Sequence, residues 1–284
     1  MKNALFALLK IGALVVVYFI ANAVVGVLLP LSNDMVAALP ADEQAPFMPL
    51  FLLNVLINMS VLFIVLTCLR YKGWKLFLAT TIAFFGLFGV LNAIELFWYN
   101  EAFPLLTYLD VVKMMITNLL SYGVAALAGT LLIKGFSKEE QARNTRFDAG
   151  RFGWKIGLFA VLYSPFYYRC GFILWSLPGV REFYATWVQT MEPIPVLLLF
   201  NVFRGALWFL FSLPILLGAT TRKQALWLLP LVLVTGTAVA CITPNALMPP
   251  IVRLGHFIEL GFSMTVVGVF MVWLFLKEKK EPEK

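Results

Sequence analysis

Histidine is almost absent from this chain: His256 is the only one among 284 residues. That excludes a bis-histidine haem and leaves any zinc site short, because zinc sites take at least three protein ligands. Cysteine is nearly as scarce. Cys68, Cys170 and Cys241 stand singly in apolar segments, without the paired spacings that ligate metal. They read as small hydrophobic fillers, and no disulfide is expected. Also missing are the G-x-G-x-x-G, Walker A, G-x-S-x-G and H-E-x-x-H signatures. A Rossmann enzyme, an ATPase, an α/β-hydrolase and a zinc protease are therefore without support, and neither cofactor nor metal is expected. Charge is thin, at 13% of residues.

What the chain has instead is hydrophobicity, with 61% apolar residues and a mean hydropathy of +0.88. No soluble domain hides so much apolar surface, and apolar runs of about 20 residues recur from end to end. The fold class expected is an all-α polytopic membrane protein. The net charge of +7 does not indicate nucleic acid, because of where it falls. All Lys and Arg except Lys113, Arg169, Arg181, Arg204 and Arg253 lie at or near one set of helix ends.

Eight apolar segments lie between polar punctuation: Leu5–Pro30, Phe47–Leu69, Leu76–Tyr99, Pro104–Ile133, Gly153–Leu177, Ile194–Ala219, Ala225–Thr243 and Pro249–Leu276. Each is long enough to cross a core of about 30 Å. Arg70 to Lys75, Lys134 to Lys155, Arg222-Lys223 and the tail from Lys277 are basic. The alternate connections are acidic or mixed, with Asp34, Asp42 and Glu43, then Glu101, then Arg181, Glu182 and Glu192. The positive-inside rule then puts both termini in the cytoplasm of a multi-pass protein of the cytoplasmic (inner) membrane. Ala21-Asn22-Ala23 imitates a signal-peptidase site, but the apolar run continues to Pro30, so a retained span is expected. The segment Pro178–Pro193, with Phe183, Tyr184 and Trp187, reads as a short interfacial helix rather than a binding lid.

The second half of the sequence echoes the first 145 positions later. Lys10-Ile11-Gly12 returns as Lys155-Ile156-Gly157, Tyr18 meets Tyr163, and Gly26 meets Gly171. Asn100 and Pro104 meet Asn245 and Pro249, and Gly123 meets Gly268. With a slip of two, Asn54 meets Asn201. These residue types rarely coincide by accident in an apolar chain. The expected organisation is a four-helix repeat over 1–134, a cytoplasmic linker over 135–152 and a second four-helix repeat over 153–284. An even number of spans makes the repeats parallel, and repeat interfaces are where membrane proteins tend to place sites.

Polar residues gather at one depth. Asn58, Lys113, Arg169, Arg204 and Glu259 each lie nine residues from a proline at the outer end of their span, about 13 Å inside. Asp110, Asn201 and His256 form a shallower tier, with Arg253 above it and Glu95 reaching it from its own hairpin. A charge at mid-membrane costs about 2.5–3.5 kcal/mol or more, so these groups should face the bundle interior. One reading pairs them into a packing network: Asp110 with Lys113, Glu259 with Arg204 or Arg169, and Glu95 with Arg253. The other lines a cavity open to the outer side. There Lys113, Arg169, Arg204 and Arg253 exceed Glu95, Asp110 and Glu259 by one positive charge, which suits a phosphate or carboxylate. Pro165 should bend its span and turn Tyr167, Tyr168 and Arg169 inward. The repeats also part company at the charges, since Gly255 stands where the first half has Asp110 and Ile258 where it has Lys113.

Three functions stay open. One is a small secondary transporter or lipid-handling protein binding an anionic solute or lipid headgroup. Another is an intramembrane enzyme acting on a lipid, with Glu259 or His256 as the acid–base group. The last is an assembly partner without a small ligand. Membrane lipid is the one partner common to all three, and the oligomeric state is not legible.

Overall fold

The computed structural model describes residues 2–137, 139–142, 144–147, 152–185 and 192–278. Within them, eight helices are long and apolar enough to cross a membrane. They are α1 (Lys2–Leu28), α2 (Ala41–Cys68), the composite third span, α5 (Tyr108–Leu132), α6 (Phe152–Trp175), α8 (Ile194–Gly218), α9 (Arg222–Thr237, prolonged by a 3₁₀ turn over Val239–Ile242) and α10 (Pro250–Phe275). The third span begins as α3 (Gly73–Phe84), loosens into a π-helical stretch over Phe85–Val90 and resumes as α4 (Leu91–Trp98). The chain is an integral multi-span membrane protein, and its surface agrees: Leu8, Val27, Leu199, Phe262 and Trp273 are all more than half exposed. Apolar side chains pointing outward are stable only against lipid.

The spans match the apolar runs closely, with one clear difference. α2 begins at Ala41, nearly two turns before Phe47, and carries Pro46 and Pro49 inside it. Asp42 and Glu43 in its first turn favour that start, because negative charge is stabilised at a helix N-terminus. Pro49 is therefore no marker of the outer boundary. α6 runs through Pro165 as one continuous helix.

Helix neighbours follow a definite pattern. α1 lies against α2 and α5, and the third span lies against α5. α6 lies against α8 and α10, and α9 against α10. Two crossings join these groups: α8 rests on α3, the π stretch and α4, while α2 rests on α9 and its 3₁₀ turn. The π stretch touches α9 between them. The main core that results contains Leu62, Phe84, Leu87, Trp208, Leu228 and Met271. Glycine sets the closest approaches. A Cβ on Gly268 would meet Pro230 of α9 at 2.9 Å, and one on Gly205 would meet Ala160 of α6 at 3.0 Å. Small residues let membrane helices pack backbone to backbone.

The two ends of the bundle differ. At the basic end, Arg70 donates Nε to the Leu217 carbonyl (3.1 Å) and its amide to Gly218 (2.9 Å). Gln224 donates to the Cys68 carbonyl, and Arg70 pairs with Glu140. The segment between α5 and α6, expected as a plain polar linker, forms a strand here. β1 (Thr145–Phe147) pairs antiparallel with β2 (Leu276–Glu278), which fastens it to the end of α10. At the opposite end Ser32 donates both amide and hydroxyl to Asp110 Oδ1. There α7 (Pro178–Ala185) leans on α10, with Gly179 against Ile251. Trp187 lies outside the described residues.

Candidate functional site

At the end away from the basic loops, α8 crosses α4 and carries Arg204 inward. Arg204 is 3% exposed. Gly205 allows the necessary approach of α8 to α6. The guanidinium grips Glu95 with two arms, Nη2 to Oε2 at 2.9 Å and Nη1 to Oε1 at 3.3 Å. Nη1 also donates to Asn201 Oδ1, one turn earlier, at 3.2 Å. The Glu95 carboxylate accepts the Tyr167 hydroxyl at 2.8 Å, and Asn201 Nδ2 donates to the Tyr168 hydroxyl at 2.8 Å. The Tyr167 and Phe200 rings flank the guanidinium, 5.0 and 5.7 Å from its carbon. Such a fork of charge-assisted bonds is the strongest polar contact available to these residue types.

The pair is unequal in burial. Arg204 keeps 4% of its side chain accessible and Glu95 keeps 34%. On the buried side, three polar atoms accept or donate nothing among the described residues: Arg204 Nε, Tyr163 Oη and Trp208 Nε1. Arg204 and Trp208 are one turn apart on α8, and Tyr163 is one turn before Tyr167 on α6. Two of these atoms are obligate donors and the third is a hydroxyl.

A second set of groups sits above. Tyr184 of α7 hydrogen-bonds His256 Nε2, and His256 Nδ1 faces Glu259 Oε2 at 3.7 Å. The last distance exceeds a hydrogen bond yet is short enough for an ion pair once the ring is protonated. Burial pushes the Tyr184 hydroxyl pKa up, and the negative charges of Glu95 and Glu259 push it further. Tyr99 is raised for the same first reason, then by Glu95 and Tyr168, against the opposing pull of Arg204. Both carboxylates thus act on Tyr184, and Glu95 on Tyr99 as well. α7 is less a free interfacial helix than the element that delivers Tyr184: Val180 is fully buried with Leu174 and Val252.

The other sequence-selected residues go elsewhere. Asp110 is completely buried and caps α5, accepting from the Thr107 amide and hydroxyl and from Ser32. Lys113 pairs with it at 3.5 Å and donates to the Pro30 carbonyl at 2.6 Å. The expected Asp110–Lys113 pairing is present, and it holds the turn after α1. Arg253 is answered by Glu43, not Glu95, and also donates to the Met248 carbonyl. Glu259 answers His256 rather than Arg204 or Arg169. The structure reassigns both pairings because a helix turns about 100° per residue, so similar depth does not mean a shared face. Arg169 shows the same thing: Tyr167 faces inward and Arg169, two positions on, is exposed. Asn58 belongs to neither cluster; it lines a separate cavity with Asn54 and Asn92.

Glu43, Tyr99, Tyr163, Trp208 and Tyr184 were not selected from sequence. The i,i+4 pairs Tyr163/Tyr167 and Arg204/Trp208 were the available signal, since each puts two polar tips on one helix face. No family model, no curated protein and no solved structure matches the chain. Its chemistry rests on the geometry.

Proposed function

We propose that the protein binds an anionic solute or lipid headgroup at Arg204, with Glu95 as the exchangeable counter-ion, and that it transports or handles that ligand. The observation carrying this reading is the asymmetry of the pair: a buried guanidinium held by a third-open carboxylate. A buried arginine needs an anion at all times. A ligand carboxylate or phosphate offers the same fork as Glu95 and can replace it without leaving the cation bare. Arg204 Nε, Trp208 Nε1 and Tyr163 Oη stand ready to serve the additional oxygen atoms of such a group. Because Lys113 and Arg253 are occupied by Asp110 and Glu43, selectivity falls on this one arginine.

The parallel-repeat architecture, 1–134 and 153–284 about the linker 135–152, belongs to the same proposal. It is supported by reciprocal packing: the third span meets α8 as α9, the seventh span, meets α2. Gly123 and Gly268 each face the preceding span of their own half, at Thr81 and Pro230. With Arg70, Lys75, Lys277 and the linker gathered at one end of the bundle, the positive-inside rule gives cytoplasmic termini. The Arg204 site then opens outward, in the cytoplasmic (inner) membrane.

The test uses two variants with opposite outcomes. In detergent, thermal unfolding is followed with inorganic phosphate, a short-chain carboxylate, or mixed micelles containing an anionic phospholipid. Arg204→Leu is expected to lose anion-dependent stabilisation. Glu95→Gln removes the competing charge and is expected to bind the anion more tightly. Loss in both variants, or in neither, would sink the proposal. The soluble anions and the phospholipid distinguish a solute from a headgroup.

The Tyr184–His256–Glu259 alignment favours a second reading, an acid–base relay acting on a lipid. It requires lipid turnover by the purified protein that vanishes in Glu259→Gln while the fold survives. A protein that turns over no lipid rules it out.

A further inference from the structure

A cavity of about 150 Å³ lies apart from the arginine site, between α1, α2, the π stretch and α4, α5 and α9. Its polar lining is made chiefly of amides: Asn54 and Asn58 from α2, Asn92 from α4 and Asn118 from α5. No Asp, Glu, Lys, Arg or His lines it among the described residues. The orientation of two amides is fixed by main-chain carbonyls. Asn92 spends its Nδ2 on Phe88 (3.0 Å) and Gly236 (3.1 Å), and Asn118 spends its own on Met114 (3.0 Å). A carbonyl accepts only from the nitrogen, so the oxygen is the atom each residue has left to offer. Asn58 donates to Asn54 Oδ1 at 2.7 Å, and its buried Oδ1 accepts nothing. Asn58, Asn92 and Asn118 thus line one cavity, each with its amide nitrogen engaged and its oxygen accepting no hydrogen bond among the described residues.

The backbone around the cavity is irregular on two sides. Phe88 lies within the π stretch, which opens the ordinary i,i+4 bonding of the third span. Across from it α9 ends at Thr237 and tightens into the 3₁₀ turn Val239–Ile242, with Thr235, Gly236 and Ala240 on the wall. Helix interruptions in a membrane interior are tolerated where they line a cavity, and loosened carbonyls beside amide oxygens are hard-cation ligands.

We propose that this cavity is a binding site for a partly dehydrated alkali cation, coordinated by the oxygens of Asn58, Asn92 and Asn118. Neutral oxygen dipoles can replace a hydration shell without a counter-charge, as in carbonyl-lined filters. The volume holds one ion with about four waters at roughly 30 Å³ each. The site joins α2, α4 and α5 to α9, so occupancy would brace the same helix crossing that pairs with the Arg204 crossing.

The experiment takes the full chain in a non-ionic detergent and follows thermal unfolding in choline chloride, with Na⁺ or K⁺ substituted at constant ionic strength. A saturable rise in melting temperature is expected for at least one of the two cations. Asn118→Leu is expected to abolish it, and Asn118→Asp, by adding a charge, to lower the apparent Kd about tenfold. Equal melting in all three salts overturns the proposal and assigns the cavity to water. So does saturable stabilisation that persists in Asn118→Leu. Should that variant not fold, an unchanged Kd in Asn118→Asp overturns it alone.

Discussion

Two helix crossings in this bundle are closed by opposite chemistry. Where α8 passes α4, Arg204 and Glu95 meet as a charged fork. Where α2 passes the end of α9, Asn54 donates a single neutral hydrogen bond to the Thr243 hydroxyl at 2.9 Å. Asn54 and Asn201 meet in the sequence register with its slip of two, yet one lines an amide cavity and the other accepts from an arginine. The surplus polar atoms also differ: the donors Arg204 Nε and Trp208 Nε1 remain at one crossing, whereas the amide oxygen of Asn58 remains near the other. The difference lies in a few side chains, not in the packing of the helices.

The largest expected effect breaks the charged crossing. Glu95→Leu leaves Arg204 buried without a counter-ion and should cost about 3–5 kcal/mol, read as a large fall in the thermal or denaturant midpoint. Replacing both, as Glu95→Leu with Arg204→Leu, should recover most of that loss, because the unpaired charge rather than the missing contact is the penalty. A double variant no better than Glu95→Leu alone would argue against it.

Next come the glycines. Gly268→Ala forces a Cβ onto the Pro230 backbone at 2.9 Å and should cost about 1–3 kcal/mol. Gly123→Ala meets only Thr81 Cγ2 at 3.8 Å and should leave the midpoint unchanged. Equal sensitivity of the two would show that the halves pack alike. The neutral crossing is weaker still: Asn54→Leu should cost about 1 kcal/mol for its lost hydrogen bonds, well below Glu95→Leu in the same assay.

The smallest effect is alkaline. Tyr184 has its pKa raised above the ordinary tyrosine value of about 10 by burial and by Glu95 and Glu259. A raised folded pKa stabilises the protonated form, so this contribution is whole below pH 10 and fades as the pH climbs towards the folded value. Tyr184→Phe should flatten that part of the stability–pH curve. A curve identical to the parent's would remove Tyr184 from the set of titrating groups.

Much of the fold was legible, because span length is set by bilayer thickness and run length can be counted directly. The start of α2 was not, since Pro46 and Pro49 resemble a boundary and only the helix itself shows them tolerated. β1 was missed because Thr145–Phe147 acquires strand pairing only from Leu276–Glu278, far away in sequence. Within the site, Arg204, Glu95, Asn201, His256 and Glu259 were selected from depth and charge. The pairing of Arg204 with Glu95 is not legible in them, nor is the burial of Glu43, which lies near a loop in sequence yet is 6% exposed.

Composition and run length are enough to set the eight spanning helices found among the described residues and to require partners for most buried charges, because lipid tolerates neither open backbone nor lone ions. Which partners they take depends on how the helices are rotated and crossed in the folded bundle. Rotation about a helix axis and the angle of a crossing separate residues of equal depth, and neither quantity is written in one helix alone. Hence Arg204 meets Glu95, Arg253 meets Glu43 and Arg169 faces outward.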